Sequence, residues 1–370
     1  EHLTYMSGDV NRRVEAGTRT VTWSPCKAWR GNVVSDGSVT AKVSAWALNE
    51  PPPYMVVDLA VKGKSAVRYF ASAEELPYGG VTADAYKTDL LVLRKCPAEN
   101  VTWRMGAPET EVGRIGPRET AHLVTLTNDF YIGVYPVTQK QYFNLMGTWP
   151  SFYTASREMR PLQSMSYETI RGRAADGYDW PKDGYAVSTD TFLGKLRTHT
   201  DGICFDLPLD AQWEFACRAG CGAGLYDGSE IQGNAVVANL ERLGRCKYSG
   251  GRQESDIAYP ADTDPAVGGT AIVGSYAPNA FGLYDMLGNV WEATRDWYQE
   301  VLDGSVDPNV GPLQNANSYR VFRGGSITEQ ANWCRSACRG PKDSTSNNKT
   351  SDKYDFGFRV ALTVTPDAIP

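Results

Sequence analysis

Histidine is nearly missing from this 370-residue chain: His2, His122 and His199 are the only three. A multi-histidine metal centre is therefore excluded on numbers. No run approaches the ~18 apolar residues of a membrane helix, so no transmembrane segment is expected. No basic block occurs, and 37 Lys and Arg against 43 Asp and Glu leave a net charge of −6. That balance argues against nucleic acid as a partner. Eight cysteines are too few for a disulfide scaffold, and none stand in a Cys-x-x-Cys pair of the zinc type. The chain begins at Glu1 without Met, from which a removed leader and an extracytoplasmic or cell-surface location in a bacterium are expected.

What is abundant points to a turn-rich fold. There are 36 Gly, 21 Pro, 20 Tyr and 10 Trp, a composition suited to short elements around large aromatics. Residues 1–100 read as an antiparallel β domain, in which short alternating runs such as Thr18–Trp23, Val39–Trp46, Tyr54–Val61 and Asp89–Arg94 are broken by Gly and Pro. An immunoglobulin-like sandwich is the expected form. From residue 101 to 370 the pattern turns irregular. Thr138-Gln-Lys-Gln141 is a capping box opening a helix that ends at Gly147. Leu207–Gly220 reads as a second short helix with Trp213 and Cys217 on one face. Strand-like pieces follow at Ser318–Phe322 and Gly357–Leu362. The long loops between them are of the kind that function or a bound ion justifies.

Four segments in fixed order carry a family resemblance: Phe130–Thr138, Leu207–Gly220, Asn279–Glu292, and Arg323-Gly-Gly-Ser326 with Gly357-Phe-Arg359. Together they resemble the formylglycine-generating enzyme, or sulfatase-modifying-factor, family. The resemblance implies an α+β C-type lectin fold with little regular secondary structure for residues 101–370. In that family two cysteines, three and eight residues past the Gly-Gly-Ser serine, bind copper(I) through thiolates, as soft ligands should. Here the first position is Glu329. The second is Cys334 counted from Ser326, or Ala331 counted back from Arg339. No copper is expected. The family's iron-dependent branch needs a histidine-rich partner domain that three scattered histidines cannot build.

The resemblance further implies calcium, held by the side chains of Asp285 and Glu292 and the carbonyls of Gly288 and Val290. Asn239 and Leu240 resemble part of a second calcium site whose acidic partner, near Asp264, is displaced. For the pairs Cys217/Cys221 and Cys334/Cys338 either a disulfide, with Cys217–Cys334 the first choice, or buried thiols are expected.

A pinned loop framework is also what a binding protein needs. Ile327–Asp355 is dense in small polar and charged residues. It offers Ile327, Glu329, Asn332, Trp333, Lys342, Asp343, Ser344, Asn347, Asn348, Lys353, Tyr354 and Asp355 as ligand contacts, with Trp333 and Tyr354 as aromatic anchors. The placement resembles the variable proteins of diversity-generating retroelements, whose mutable residues lie just before the C-terminus. A non-catalytic protein with a protein or cell-surface ligand is the expected function. An oxygen-using oxidase acting on a sulfatase cysteine is the alternative.

Overall fold

The computed structural model describes residues 6–8, 14–15, 17–24, 45–47, 50–178, 186–233, 237–249, 268–302, 304–311, 319–343, 355–365 and 368, and of 341–343 the backbone alone. Elements are short, as the glycine and proline content requires. The strands are β1 (Met6–Gly8), β2 (Val21–Trp23), β3 (Tyr54–Asp58), β4 (Val67–Phe70), β5 (Leu90–Cys96), β6 (Val101–Met105), β7 (His122–Leu126), β8 (Phe130–Gly133), β9 (Trp291–Trp297), β10 (Tyr319–Arg323), β11 (Arg339–Asp343), β12 (Phe356–Gly357) and β13 (Ala361–Thr363). The helices are α1 (Ala85–Thr88), α2 (Gln139–Met146), α3 (Tyr167–Arg171), α4 (Phe192–His199), α5 (Asp210–Arg218) and α6 (Ala238–Glu241). No helix among the described residues is long and apolar enough to cross a membrane.

Two sheets organise the molecule. A five-stranded sheet runs in the order β13-β8-β5-β3-β4, and a four-stranded sheet in the order β11-β10-β9-β12. The first corrects the expected boundary at residue 100. Strand β5 pairs antiparallel with β8, Leu93 opposite Gly133 and Cys96 opposite Phe130. It also pairs with β3, Met55 opposite Leu93. Residues from Tyr54 onward thus share a sheet with the part of the chain expected to be a separate domain.

The physical reason is double burial. Leu90, Leu91, Val92 and Leu93 are four apolar residues in a row, and their side chains alternate between two cores. A strand buried on one face alternates with polar residues, whereas one covered on both faces reads as a continuous apolar run. Of the region before residue 50, β1 and β2 form a small hairpin of their own, with Met6 opposite Trp23.

The two helix readings hold. Thr138 and Gln141 form the reciprocal capping box of α2, and Gly147 ends it in the left-handed region at φ 72°. Helix α5 ends one residue earlier than expected, at Ala219, which takes φ 45°. Its apolar face, Trp213, Ala216 and Cys217, is fully buried.

The adjoining part of that face of α5 is charged and buried too. Asp210 takes Arg339 at 2.8 Å and also Arg323; Glu214 takes Arg323 at 2.9 Å and Arg218 at 2.8 Å, and accepts the Gly106 amide at 2.8 Å. Arg335 bridges Glu111 and Glu119. Breaking one member of such a pair strands the other charge out of water, which is why these ion pairs fix the 331–339 segment to α5 and to the 106–119 loop.

Candidate functional site

The segment after Gly-Gly-Ser connects β10 to β11, neighbours in the four-stranded sheet. Trp291, fully buried at the start of β9, donates its indole N–H to Glu329 Oε1 at 3.1 Å. Trp333 stands edge-on to it, ring centres 6.1 Å apart at 75°. The guanidinium of Arg118 lies over the Trp333 ring at 5.5 Å. The Lys247 amide donates to the Glu329 carbonyl at 2.8 Å. Glu329, Asn332 and Trp333 are each half-buried and reach the surface.

Two of the expected contacts do not reach it. Ile327 is fully buried, its amide donating to Asn289 O at 3.3 Å. Asp355 is buried as well. It accepts from the Ser326 and Thr328 hydroxyls, the latter at 2.6 Å, and its carbonyl takes the Trp291 amide at 2.8 Å. Both are framework residues, because a polar loop must satisfy its own backbone before it can display side chains. Lys342 and Asp343 lie on β11, and their side chains fall outside the described residues, as do Ser344, Asn347, Asn348, Lys353 and Tyr354 entirely. Sequence reasoning missed Arg118, which comes to this face from a turn more than 200 residues upstream with no local signal.

The thiols do not form a reactive pair. Cys334 Sγ lies beneath Gly325 and 4.0 Å from Ser326 O, fully buried, and burial pushes its thiol well up. Copper(I) ligation needs the thiolate, which this environment disfavours. The alternative second position, Ala331, is also buried and has no sulfur.

The expected Cys217–Cys334 bridge is absent: both are free thiols. Cys217 Sγ instead faces the Ser336 hydroxyl at 3.5 Å and Met286 O at 3.9 Å. A residue two positions past Cys334 is the one in reach. Ser336→Cys should therefore form a disulfide with Cys217 and stabilise the fold by about 2–4 kcal/mol, since it closes a long loop. Thermal melts with and without reductant, beside a peptide map, check this. Equal melting temperatures would count against the placement.

The Asp285–Glu292 loop makes a sharp turn. Asp285 and Gly288 take φ 56° and 77°, and a Cβ at Gly288 would meet Arg245 O at 2.1 Å. Asp285 is buried, accepting the Gly274 amide at 2.7 Å and the Asn289 side chain at 3.3 Å. No cationic side chain hydrogen-bonds to its carboxylate among the described residues, Arg359 reaching only its carbonyl at 3.5 Å, and burial pushes the acid up to about 6. A carboxylate in that state suits a hard cation.

Glu292 is different. It accepts Arg359 Nε and Nη2 and the Trp213 indole N–H, each at 2.6 Å. Its charge is already neutralised, so it offers an ion at most the remaining lone pair of Oε1. At the second expected site, Asn239 Oδ1 is buried without a donor, which fits. The Leu240 carbonyl is taken by the amides of Leu243 and Gly244, both at 2.9 Å, which does not. Asp264 lies outside the described residues.

Fold and site together define a loop-rich α+β scaffold in which the segment after Gly-Gly-Ser gathers a carboxylate and two indoles. The chain belongs to the family of the sulfatase-modifying factor enzyme 1-like domain, which it matches over residues 98–364. It is 31% identical over 166 residues to the formylglycine-generating enzyme of Mus musculus, covering 44% of this chain and 40% of that enzyme. With the formylglycine-generating enzyme of Streptomyces coelicolor it is 32% identical over 163 residues, 42% and 46% of the two chains. The chain thus spans less than half the length of these relatives. Among solved structures it is similar to PvdO from Pseudomonas aeruginosa, with a TM-score of 0.54 and 22% identity over 74% of this chain and 94% of that one. That likeness confirms the formylglycine-generating-enzyme type of C-type lectin fold. It is also similar to Treponema denticola variable protein 1, at a TM-score of 0.49 and 22% identity over 74% and 95%.

Proposed function

We propose that the protein is a non-catalytic, extracytoplasmic ligand-binding member of its family, a diversity-generating retroelement variable protein that displays its binding surface on the lectin scaffold. One observation supports the reading: three residues past the Gly-Gly-Ser serine, where the family resemblance implies the first copper thiolate, stands Glu329, held by the Trp291 indole. A carboxylate is a hard oxygen donor and cannot replace a soft sulfur for copper(I). Glu329, Asn332 and Trp333 are half-buried, and later in the sequence residues 344–354 supply small polar side chains and Tyr354, a composition that suits adaptable recognition of a protein or cell-surface ligand.

Sequencing the DNA downstream of the gene tests this. A near-copy of the codons for 320–365, differing only at adenines and lying beside a reverse transcriptase gene, is the expected finding. The oxidase alternative predicts no such copy, and predicts copper-dependent mass loss from a cysteine-containing sulfatase peptide. Either of those results would reverse the assignment.

Calcium belongs to the same proposal. Asp285 with the carbonyls of Gly288 and Val290 would hold it, and Glu292 would play the lesser part. Asp285→Asn separates ion from proton. An acid whose folded value lies near 6, against ~3.9 when unfolded, favours the native state protonated, so its penalty grows as pH rises from about 4 to 6 and persists above. In EGTA at pH 8 the variant should be more stable than the wild type, by on the order of 2–3 kcal/mol, and at pH 4 equal to it. With calcium the wild type alone should gain, because an ion that binds only the native state stabilises it. A wild-type melting temperature indifferent to EGTA would remove the ion.

A further inference from the structure

Arg118 is unlike the other arginines around the 331–339 segment. Arg335, Arg339 and Arg323 are each bound to carboxylates. The Arg118 guanidinium, half-buried over Trp333, has no hydrogen bond or ion pair among the described residues. Its position is nevertheless fixed. Arg339 Nη1 donates both to the Arg118 carbonyl at 3.2 Å and to the Gln299 carbonyl at 2.8 Å. One buried side chain therefore ties the turn at 116–119 to the end of β9.

Tyr298 immediately precedes Gln299, and the Arg339 side chain that binds the Arg118 carbonyl also reaches Tyr298. Tyr298 is half-buried, lies under the Arg339 guanidinium at 5.3 Å, and has its backbone fastened by a hydrogen bond that its amide N–H donates to Tyr319 O at 2.6 Å. Burial raises the Tyr298 phenol while Arg118 and Arg339 pull it back. The hydroxyl stays protonated and is a donor. The neighbouring Glu119 is committed to Arg335, and Glu300, the acid nearest Tyr298, is exposed.

A planar guanidinium with five unspent N–H donors, backed by an indole face and flanked by a phenol, is a receptor for one chemical group. We infer that Arg118, Trp333 and Tyr298 form a carboxylate-binding site at the edge of the proposed binding face, an anchor on which an acidic group of the ligand docks. The inference rests on the binding function proposed above and deepens it. Arg118 and Tyr298 lie outside 327–355, so these two would stay constant while the polar loop, Trp333 included, changes. The carboxylate could come from an aspartate or glutamate side chain or from a chain terminus, and the two share this chemistry.

Three probes on the full chain decide it, read by chemical-shift titration: N-acetylglutamate amide for a side-chain carboxylate, N-acetylglycine for a terminal one, and N-acetylglutamine amide as the neutral control. Saturable millimolar binding is expected for at least one acid, whichever is tighter naming the source, and none for the neutral amide. Arg118→Gln should weaken the acid at least ten-fold, and Tyr298→Phe several-fold, without change in melting temperature. No binding of either acid, equal binding of the neutral amide, or unchanged affinity in Arg118→Gln would overturn the site. If acids bind through Arg118 but no adenine-substituted gene copy exists, the anchor stands and the variable-protein reading falls. The reverse pair of results leaves that reading and removes the anchor.

Discussion

A chain cut to begin at residue 97 should not fold, whereas one cut to begin at residue 50 should. The family match starts at residue 98 and would suggest the shorter piece. Yet β3, β4 and β5 supply three of the five strands of the sheet that contains β8 and β13. Val56, Phe70, Leu90 and Val92 pack in one core, and Met55, Val57, Leu91 and Leu93 in the other. At ~1.5–3 kcal/mol for each buried side chain, losing these eight removes on the order of 12–24 kcal/mol, which matches or exceeds the ~5–15 kcal/mol by which a domain is stable. The cut would also expose the edge of β8, an invitation to aggregate.

The longer piece keeps what the sheet uses. The Pro53 carbonyl takes the Lys95 amide at 2.8 Å, and the Pro52 carbonyl takes the Tyr131 hydroxyl. It loses the packing of Trp46 on Tyr69, ring centres 4.9 Å apart, worth about 0.5–1.5 kcal/mol beyond its burial. Circular dichroism and urea melts of the two truncations are the check. A cooperative transition in the piece that starts at residue 97 would restore the two-domain reading.

The sequence carried the local signals well and the long-range ones poorly. The capping box at Thr138 and Gln141 and the helix over Asp210–Arg218 are each set by residues within a few positions, and each formed as expected. Strand β5 could have been recognised as central from Leu90–Leu93, since no edge strand of a small sandwich needs four apolar residues in succession. The burial of Ile327 and Asp355 could not, because it depends on Asn289 and Trp291 reaching them from another segment. Cys217 shows the same limit. Spacing singles out Cys334 and Cys338 as partners, but only the turn at 331–334 decides that Ser336 is what faces it.

Arg359→Met should destabilise the protein by about 3–5 kcal/mol, the cost of leaving a buried charge without its partner. Arg359 is fully buried and ties three segments together. Its Nε and Nη2 grip Glu292, Nη1 donates to Gly133 O at 2.8 Å, and Nη2 also donates to Tyr284 O at 3.0 Å. Methionine fills the space of the stem and supplies none of those donors. Adding Glu292→Gln should recover part of the loss, because the remaining amide can still accept from Trp213 while the stranded charge is gone. Urea midpoints of the two single variants and the double variant measure the coupling, and a loss under about 1 kcal/mol in Arg359→Met would show that Glu292 finds solvent or another cation. The same variant tells how guanidinium and calcium share this loop. With Arg359 gone, Glu292 regains its charge and its lone pairs beside Asp285, so calcium should rescue the variant more than it stabilises the wild type. Equal gains would mean that the ion, where it binds, never meets Glu292 and rests on Asp285 and the loop carbonyls.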